Sequence, residues 1–340
     1  MTDDFTKKSE RQIIDHINNL FGIPADKQVI KGIGDDCAVL RKDNRNCFLV
    51  TTDLLVEGVH FDLAWHPPFL LGRKTGAVNL SDIAAMGGQP RFALLSMAFP
   101  GSAPAWLGDF LAGFHEILQE YDTSLVGGDT VKSSKDLCMT VTIIGEAAKD
   151  SVRYRSGAVS GDLVFVSGPL GDAAAGLALC RAGLSRDKPG PWQQLLNAHL
   201  DPKPQVQLGR ILAESGLVHA MMDISDGLAT DLAHICKESG TGAEIFIENI
   251  PVSAQLKSAA GKMENQVLDW ALKGGEDYQL LFIVLPEEEQ KLRNLVLEKE
   301  GREIFCIGKI INGRGVFLAD GRNRVEVSYQ GYDHFTDRKS

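Results

Sequence analysis

Apolar residues in the first 150 positions follow the spacings of helices and of buried strands in alternation. Residues 9–20 open with Ser9, a residue type that caps helices, and then carry apolar side chains at helical spacing. Short unbroken apolar runs between polar turns are instead typical of strands inside a core. On these patterns, helices are predicted over 9–20, 69–86 and 104–120, and strands over 47–53, 91–99, 124–126 and 137–147.

The residue pattern of the chain changes near residue 150, and glycines then occur at short intervals along the sequence. A strand predicted at 163–168 leads into a helix that begins near Asp172, and prolines between 187 and 204 predict a loop. Alternation of helices with strands in the rest of the chain is typical of mixed α/β or α+β layers. From the length of the chain and the change of pattern near residue 150, we expect two domains, 1–150 and 151–340. The remaining predicted elements span 205–214, 218–223, 226–239, 243–247, 279–285, 286–299 and 303–310.

Charge and cysteine content narrow the class of protein. The formal net charge of −10 gives an acidic surface that repels nucleic acid and anionic membranes, so neither is an expected partner. The six cysteines form no Cys-x-x-Cys pair, which argues against a zinc knuckle or dithiol redox centre and favours reduced structural thiols. A polar N-terminus, and the lack of an apolar run of about 18 residues, predict a cytoplasmic protein.

Several familiar nucleotide-binding and catalytic signatures are missing from the sequence. It contains no GxxxxGK[ST] phosphate loop, no GxGxxG turn after a strand, no protein-kinase HRD or DFG motif and no HExxH zinc motif. Any phosphate chemistry must therefore use other residues.

Acidic residues beside glycine or hydroxyl side chains recur near the ends of apolar runs. Several carboxylates in one cleft would repel one another unless cations lay between them, and Mg²⁺ suits this role because it prefers oxygen ligands. One such motif alone is more often a turn or a helix cap. Their number in one chain favours a shared site for metal ions and a polyanion. The acidic residues concerned are Asp35, Asp36, Asp53, Asp82, Asp129, Asp223, Asp226, Glu276 and Asp277.

Three further residues have both a functional and a structural interpretation. Arg155 in RYRSG is either a clamp on two phosphate oxygens or a solvated surface residue. His60 in EGVHF is either a ligand contact or a structural histidine. Tyr332 in QGYDHF either stacks on a substrate ring or belongs to a frayed tail.

Taken in order, these motifs resemble those of the thiamine-monophosphate kinase family. The resemblance rests on GIGDDCAVL, TTDLLVEGVHF, NLSDIAAMGG, GGDT, RSGAVSGDLVFVSG, DISDGLATDL, GGEDYQLLF and GYDHF, and spans residues 32–335. It implies an α+β, two-domain aminoimidazole ribonucleotide synthetase-like fold, in which the N-terminal sheets of two subunits form a barrel-like interface in a homodimer. It also implies that the γ-phosphate of ATP passes directly to thiamine monophosphate, giving thiamine diphosphate, with several Mg²⁺ ions between the phosphates.

The same resemblance implies roles for individual residues. It implies metal ligands at Asp36, Thr51, Thr52, Asp53, Asp82, Asp129, Asp223 and Asp226. It implies nucleotide contacts at Gly128, Asp129, Arg155 and Ser225, and contacts with thiamine monophosphate at His60, Glu276 and Tyr332. The cationic thiazolium suits a carboxylate and an aromatic ring. No residue is expected to act as a nucleophile or general base, because the acceptor phosphate is already ionised.

Other activities stay open at this point. A selenophosphate synthetase would need a catalytic cysteine with a nearby lysine at the N-terminus, and the Lys7–Lys8 pair has no cysteine close to it. The motifs alone do not exclude aminoimidazole ribonucleotide synthetase activity. A non-catalytic nucleotide-binding or metal-storage protein is a third class, although it would not need every carboxylate.

Overall fold

The computed structural model describes residues 8–22, 26–101, 104–186, 190–260, 264–321 and 323–335, and these form two mixed sheets. The first sheet contains β1 (Val29–Lys31), β2 (Ala38–Arg41), β3 (Asn46–Val56), β4 (Gln89–Pro100), β5 (Ser124–Ser133) and β6 (Cys138–Ala148). Their order across the sheet is β1-β2-β3-β6-β4-β5. Strands β4 and β5 are parallel, the other neighbours are antiparallel, and β5 lies at an edge.

One face of the first sheet is covered by helices and the other is open. Residues of β6 alternate between buried and partly exposed along the strand, as expected when only one face is covered. The covering helices are α2 (Pro68–Ala85) and α3 (Leu107–Glu120), which confirm the predictions at 69–86 and 104–120 with small shifts at their ends. The preceding helix, α1 (Glu10–Phe21), contacts the C-terminal segment, where the Glu10 amide donates to Asp333.

The second sheet is built from the later part of the chain. Its strands are β7 (Leu163–Val166), β8 (Val218–Asp223), β9 (Gly242–Phe246), β10 (Leu280–Val284), β11 (Phe305–Ile311), β12 (Gly315–Asp320) and β13 (Asn323–Glu326). In the order β13-β12-β9-β11-β7-β10-β8, only β12 and β9 are parallel neighbours. Every residue of β10 is buried, because Phe282 faces the core shared with the first sheet while Leu281 and Ile283 face a second core.

The helices of this part include three that the sequence analysis did not predict, at Gln193–Leu200, Ala254–Ala260 and Glu264–Lys273. The expectation of a loop over 187–204 is wrong for Gln193–Leu200, which forms a helix with Leu195, Leu196 and Leu200 buried. The neighbouring prolines, which suggested the loop, flank this helix and leave its interior unbroken. The helices are α4 (Asp172–Arg181), α5 (Gln193–Leu200), α6 (Val206–Glu214), α7 (Leu228–Ser239), α8 (Ala254–Ala260), α9 (Glu264–Lys273) and α10 (Glu289–Glu300).

Helix α2 lies between the two sheets and contacts β3, β6 and β8. Its approach to α6 requires glycine at position 209, because a β-carbon there would come within 2.1 Å of the Ala84 carbonyl oxygen. The domain boundary predicted near residue 150 falls between β6 and β7 in sequence. Among the described helices, none is both long enough and apolar enough to cross a bilayer.

Candidate active site

Carboxylates from distant parts of the sequence meet beside α2. Asp36 follows the glycine turn before β2, Asp82 lies in the last turn of α2, and Asp223 ends β8. Each offers a carboxylate oxygen within 4.8 Å of the others, and of the three only Asp82 is more than slightly exposed. The structure therefore brings together three of the predicted metal ligands, from both sheets and the helix between them.

Two hydroxyl groups orient this cluster of Asp36, Asp82 and Asp223, hereafter the carboxylate cluster. The Thr51 hydroxyl donates to Asp82 Oδ2 at 2.5 Å, and the Ser81 hydroxyl donates to Asp223 Oδ2 at 2.5 Å. Such charge-assisted bonds are short and hold each carboxylate in one orientation. Thr51 was expected at this site, whereas Ser81 was not, although it stands beside Asp82 in the NLSD motif.

Burial and the repulsion of neighbouring charges raise the pKa values of Asp82, Asp223 and the nearby Asp226. For Asp82, burial and then the charges of Asp53 and Asp223 raise the pKa well above its ordinary range. Burial, and then the charge of Asp36, raises the pKa of Asp223 to about 7. Burial, and then the charge of Glu10, raises the pKa of Asp226 to about 7. Without bound cations, ionising all of these carboxyl groups together is therefore unfavourable, because their negative charges repel one another.

The donor set of the carboxylate cluster fits Mg²⁺. The buried oxygens Asp36 Oδ2 and Asp53 Oδ2 have no hydrogen-bond partner among the described residues, so each is free to act as a ligand. The groups that meet here are carboxylate and hydroxyl oxygens, which suit a hard cation better than they suit zinc.

Arg155 lies at the edge of the carboxylate cluster and fixes the turn that carries Asp36. Its guanidinium Nη2 donates to Asp36 Oδ1 at 2.7 Å, and its backbone amide donates to Asp35 Oδ1 at 2.9 Å. The Arg155 side chain keeps 20% of its surface exposed, and its Nε has no partner among the described residues. The guanidinium is thus a buried, oriented cation with donors still available to an anion, as expected for a phosphate contact.

Three loops meet where the chain leaves β8, directly after Asp223. The Glu276 amide donates to the Ser225 carbonyl at 2.8 Å, and the Tyr332 amide donates to the Asp226 carbonyl at 2.9 Å. The Asp226 amide in turn donates to Asp231 Oδ2 in the first turn of α7. The structure therefore places Ser225, Asp226, Glu276 and Tyr332 in adjacent loops, although they are far apart in sequence.

Aromatic rings form a patch beside these loops. The ring centroids of His60 and His334 are 5.1 Å apart, and those of His334 and Tyr332 are 4.8 Å apart. The Val56 amide donates to His60 Nδ1 at 3.0 Å, and burial lowers the pKa of His60, which favours a neutral ring. Residue 334 was not predicted, although it belongs to the same GYDHF motif as Tyr332.

Two predicted metal ligands do not have side chains in the carboxylate cluster. The Thr52 hydroxyl donates to the Val141 carbonyl and accepts from Thr142, on the opposite face of β3 from Thr51, because successive strand residues point to opposite faces. Asp129 is exposed on β5, where its carboxylate accepts from the Thr130 amide.

The neighbouring residue Gly128 has a clear structural role in β5. Its φ is +152°, and a β-carbon there would come within 1.8 Å of the Leu95 carbonyl oxygen. Only glycine fits this approach of β5 to β4.

The largest omission from the sequence-based site is Lys74. This lysine is fully buried within α2, and its Nζ lies 2.8 Å from Glu276 Oε1. Burial alone would raise the pKa of Glu276, but the charge of Lys74, aided by His199, outweighs burial and holds that pKa below its ordinary range. No clear local signal in the sequence pointed to this role, because Lys74 stands between Arg73 and Thr75 in the helix.

Family models divide the chain into the same two parts as the sheets. The model of the AIR synthase related protein N-terminal domain matches residues 34–147, and that of the AIR synthase related protein C-terminal domain matches residues 159–321. The fold is therefore that of an AIR synthase related protein.

Comparison with curated relatives and solved structures identifies one family within this class. The chain is 39% identical to thiamine-monophosphate kinase of Buchnera aphidicola from Acyrthosiphon pisum, over 91% of this chain and 94% of the relative. It is 39% identical to the Escherichia coli K12 thiamine-monophosphate kinase, over 89% and 91% of the two chains. The solved structure of AaThiL complexed with AMPPCP and TMP is 34% identical, covers 98% of this chain and 99% of its own, and gives a TM-score of 0.84. The chain belongs to the thiamine-monophosphate kinase family.

Proposed function

We propose that the protein transfers the γ-phosphate of ATP to the phosphate of thiamine monophosphate, giving thiamine diphosphate and ADP in thiamine diphosphate biosynthesis. The observation that carries this proposal is the carboxylate cluster of Asp36, Asp82 and Asp223 beside the Arg155 guanidinium. Two anions must meet for this transfer, and the cluster with bound cations offsets their repulsion. Membership of a family whose curated members are thiamine-monophosphate kinases supports the choice of substrate.

We propose that Mg²⁺ binds at the carboxylate cluster. The ligand set would be Asp36, Thr51, Asp53, Asp82, Asp223 and Asp226, with Asp129 and the Thr52 backbone completing it nearer the nucleotide. Bound Mg²⁺ supplies charge neutralisation and polarisation of phosphate oxygens. Ser81 and Thr51 hold the carboxylates that receive it, through the hydrogen bonds to Asp223 and Asp82.

The other residues divide between the two substrates. Arg155, with Gly128, Asp129 and Ser225, would contact ATP. His60, Glu276 and Tyr332 would contact thiamine monophosphate, and their convergence on adjacent loops supports this grouping. Direct in-line transfer needs no general base from the protein, because the attacking phosphate oxygen is already ionised at neutral pH.

We propose a homodimer formed through the first sheet. Its open face and the edge strand β5 carry Leu54, Phe92, Leu125, Val126 and Val131, each at least 40% exposed. An open sheet face with an apolar edge is unfavourable in water and suits a matching surface. In this arrangement residues 1–150 form the ATP- and Mg²⁺-binding and dimerisation domain, and 151–340 the C-terminal domain.

A charged residue on this open face should separate the subunits. We expect Leu54→Glu to be monomeric in sedimentation velocity while the unaltered protein is dimeric. Val325→Glu provides a matched control, since Val325 is equally exposed but lies on β13 of the other sheet. A monomeric unaltered protein would refute the dimer.

We also propose that the enzyme is cytoplasmic. All six cysteines are free thiols in the structure, as is common in a reducing compartment.

The reaction itself is tested by ADP release. Purified protein with ATP and MgCl₂ should release ADP when thiamine monophosphate is added, with one thiamine diphosphate formed for each ADP, and EDTA should stop the reaction. A non-catalytic nucleotide-binding protein would release no ADP. ADP release that does not depend on thiamine monophosphate would indicate another activity and refute the proposed one.

A further inference from the structure

Lys74 is a charged residue in the buried interior, where desolvation of an ammonium group is unfavourable. It lies within α2 with no exposed surface, and its ammonium lies 2.8 Å and 2.9 Å from the two carboxylate oxygens of Glu276. A buried ammonium persists only with a close partner, so this ion pair is a fixed part of the structure. Glu276 is the more exposed partner, with 25% of its side chain accessible, so Lys74 lies behind the carboxylate.

His199 contacts the same carboxylate from α5. Its Nδ1 lies 3.0 Å from Glu276 Oε2, and its ring is almost fully buried against Trp65, with centroids 5.5 Å apart. Burial, and then the charge of Lys74, lowers the pKa of His199, which favours a neutral ring. The ring is in close contact with the carboxylate, but neither of its nitrogens has a partner with hydrogen-bond geometry among the described residues. Two elements, α2 and α5, therefore hold one carboxylate.

The backbone around Glu276 is also constrained. Glu276 has φ +66° and Tyr278 has φ +48°, in a region that residues other than glycine seldom adopt. Hydrogen bonds from the Glu276 and Tyr278 amides to the Ser225 and Ile224 carbonyls hold this loop against the loop that follows β8. Strain that the surrounding structure maintains in this way is typical of functional sites.

We propose that Lys74 and His199 are positioning residues that orient the Glu276 carboxylate and set the affinity for thiamine monophosphate. This inference rests on the proposed role of Glu276 as a substrate contact. Because the ion pair offsets the charge of Glu276, the carboxylate serves as an oriented hydrogen-bond acceptor with little net attraction for cations. The histidine and the lysine together leave few orientations for that acceptor, which favours one substrate pose over others.

Kinetics of paired variants test the proposal. We expect Lys74→Met, which keeps length but removes charge, to raise KM for thiamine monophosphate by about tenfold or more, the effect of losing one charge-assisted contact. KM for ATP should change by less than about twofold, since neither residue is placed at the nucleotide. His199→Leu should raise the same KM, and His199→Asn, which keeps a donor near the position of Nδ1, should restore most of the affinity.

A double variant separates positioning from stability. Lys74→Met leaves a buried carboxylate unpaired and should lower the melting temperature, whereas Lys74→Met with Glu276→Gln removes both charges and should recover much of it. The KM of the double variant for thiamine monophosphate should match that of Glu276→Gln alone, because the two residues act through one contact.

The possible failures are distinguishable. A melting temperature that falls while both KM values stay unchanged in Lys74→Met would overturn the positioning role. If Lys74→Met does not fold, equal KM values for His199→Leu and His199→Asn would overturn it instead. An unchanged KM in Glu276→Leu, which removes the acceptor as well as the charge, would show that Glu276 is not a substrate contact. An unaltered enzyme without turnover of thiamine monophosphate would refute the proposed function.

Discussion

The hydroxyl of Ser81 donates a 2.5 Å hydrogen bond to Asp223, which joins helix α2 directly to the end of strand β8. The next residue along the helix, Asp82, accepts a hydrogen bond from Thr51 of β3. Adjacent positions in one helix thus hold side chains from both sheets. The carboxylate cluster depends on this arrangement, because neither sheet alone supplies all of its members.

Asp82 should be needed for metal binding and not for folding. We expect Asp82→Asn to reduce kcat/KM by on the order of a hundredfold or more, as for loss of a group that stabilises transition-state charge. The folded state should persist without metal, because the change removes one of several repelling buried charges. Asp53→Asn should behave similarly. Kinetics at saturating MgCl₂, with melting curves in EDTA, check both expectations, and normal turnover would remove that residue from the metal site.

Stability without metal should fall as pH rises. Burial raises the folded-state pKa of Asp223 and Asp226 from the ordinary 3.8 to about 7. Between these values the folded protein binds protons that the unfolded chain has released, so the free energy of unfolding decreases as pH rises from about 4 to 7. We expect the melting temperature in EDTA to decline over this range.

Mg²⁺ should reverse this trend, because it binds the ionised carboxylates and so stabilises the protein more at high pH. The gain in melting temperature on adding MgCl₂ should be larger at pH 8 than at pH 5, and Asp223→Asn should reduce the pH dependence in EDTA. A melting temperature in EDTA that rises with pH over this range would contradict the assignment of these buried, protonated carboxyl groups.

Much of the fold and part of the site were visible in the sequence. A largely apolar segment marked the strand at 137–147, observed as β6, and the glycines after residue 86 marked the end of α2. Asp36, Asp82 and Asp223 were predicted from acidic motifs beside apolar runs, and their convergence is seen in the structure. Local signals sufficed here because each residue lies at or close to one end of a regular element.

Features that depend on distant contacts were not predictable from local patterns. The outward direction of Thr52 follows from strand pleating, once α2 is known to cover the face of the sheet to which Thr51 points. The buried pair of Lys74 and Glu276 joins residues about two hundred positions apart, so nothing near either residue reveals the other. The prolines on either side of helix α5 favoured a loop in the sequence analysis. In the structure the segment is a helix with Leu195 and Leu196 buried.

Adjacent threonines on β3 provide a matched test of side-chain direction. Thr51 faces Asp82, whereas Thr52 bonds to β6 on the other face. We expect Thr51→Val to raise the Mg²⁺ concentration needed for half-maximal activity, because the variant removes a donor that orients Asp82. Thr52→Val should leave the Mg²⁺ requirement unchanged, since it retains the backbone carbonyl. A raised requirement in Thr52→Val alone would place its hydroxyl at the metal.

Phosphate transfer should invert the configuration at the γ-phosphorus of ATP, because the attacking group is the already ionised phosphate of thiamine monophosphate and the protein need supply no nucleophile. The Thr51 and Ser81 hydroxyls are buried and donate to carboxylates. Cys37 beside Asp36 is buried too, and burial together with the charge of Asp82 raises the pKa of its thiol well above the ordinary value, so it stays protonated. One direct in-line displacement inverts the phosphorus centre, whereas a phosphoenzyme needs two and restores it.

The measurement uses ATP made chiral at the γ-phosphorus with sulfur and oxygen isotopes, followed by analysis of the thiamine diphosphate product. Acid quenching with radiolabelled ATP checks for a carboxylate or hydroxyl that becomes phosphorylated despite its contacts. We expect inversion and no labelled protein, since the carboxylate cluster then serves only to hold cations and both phosphates in line. Retention, or label on Asp223 or Ser81, would require a covalent intermediate and would refute direct transfer.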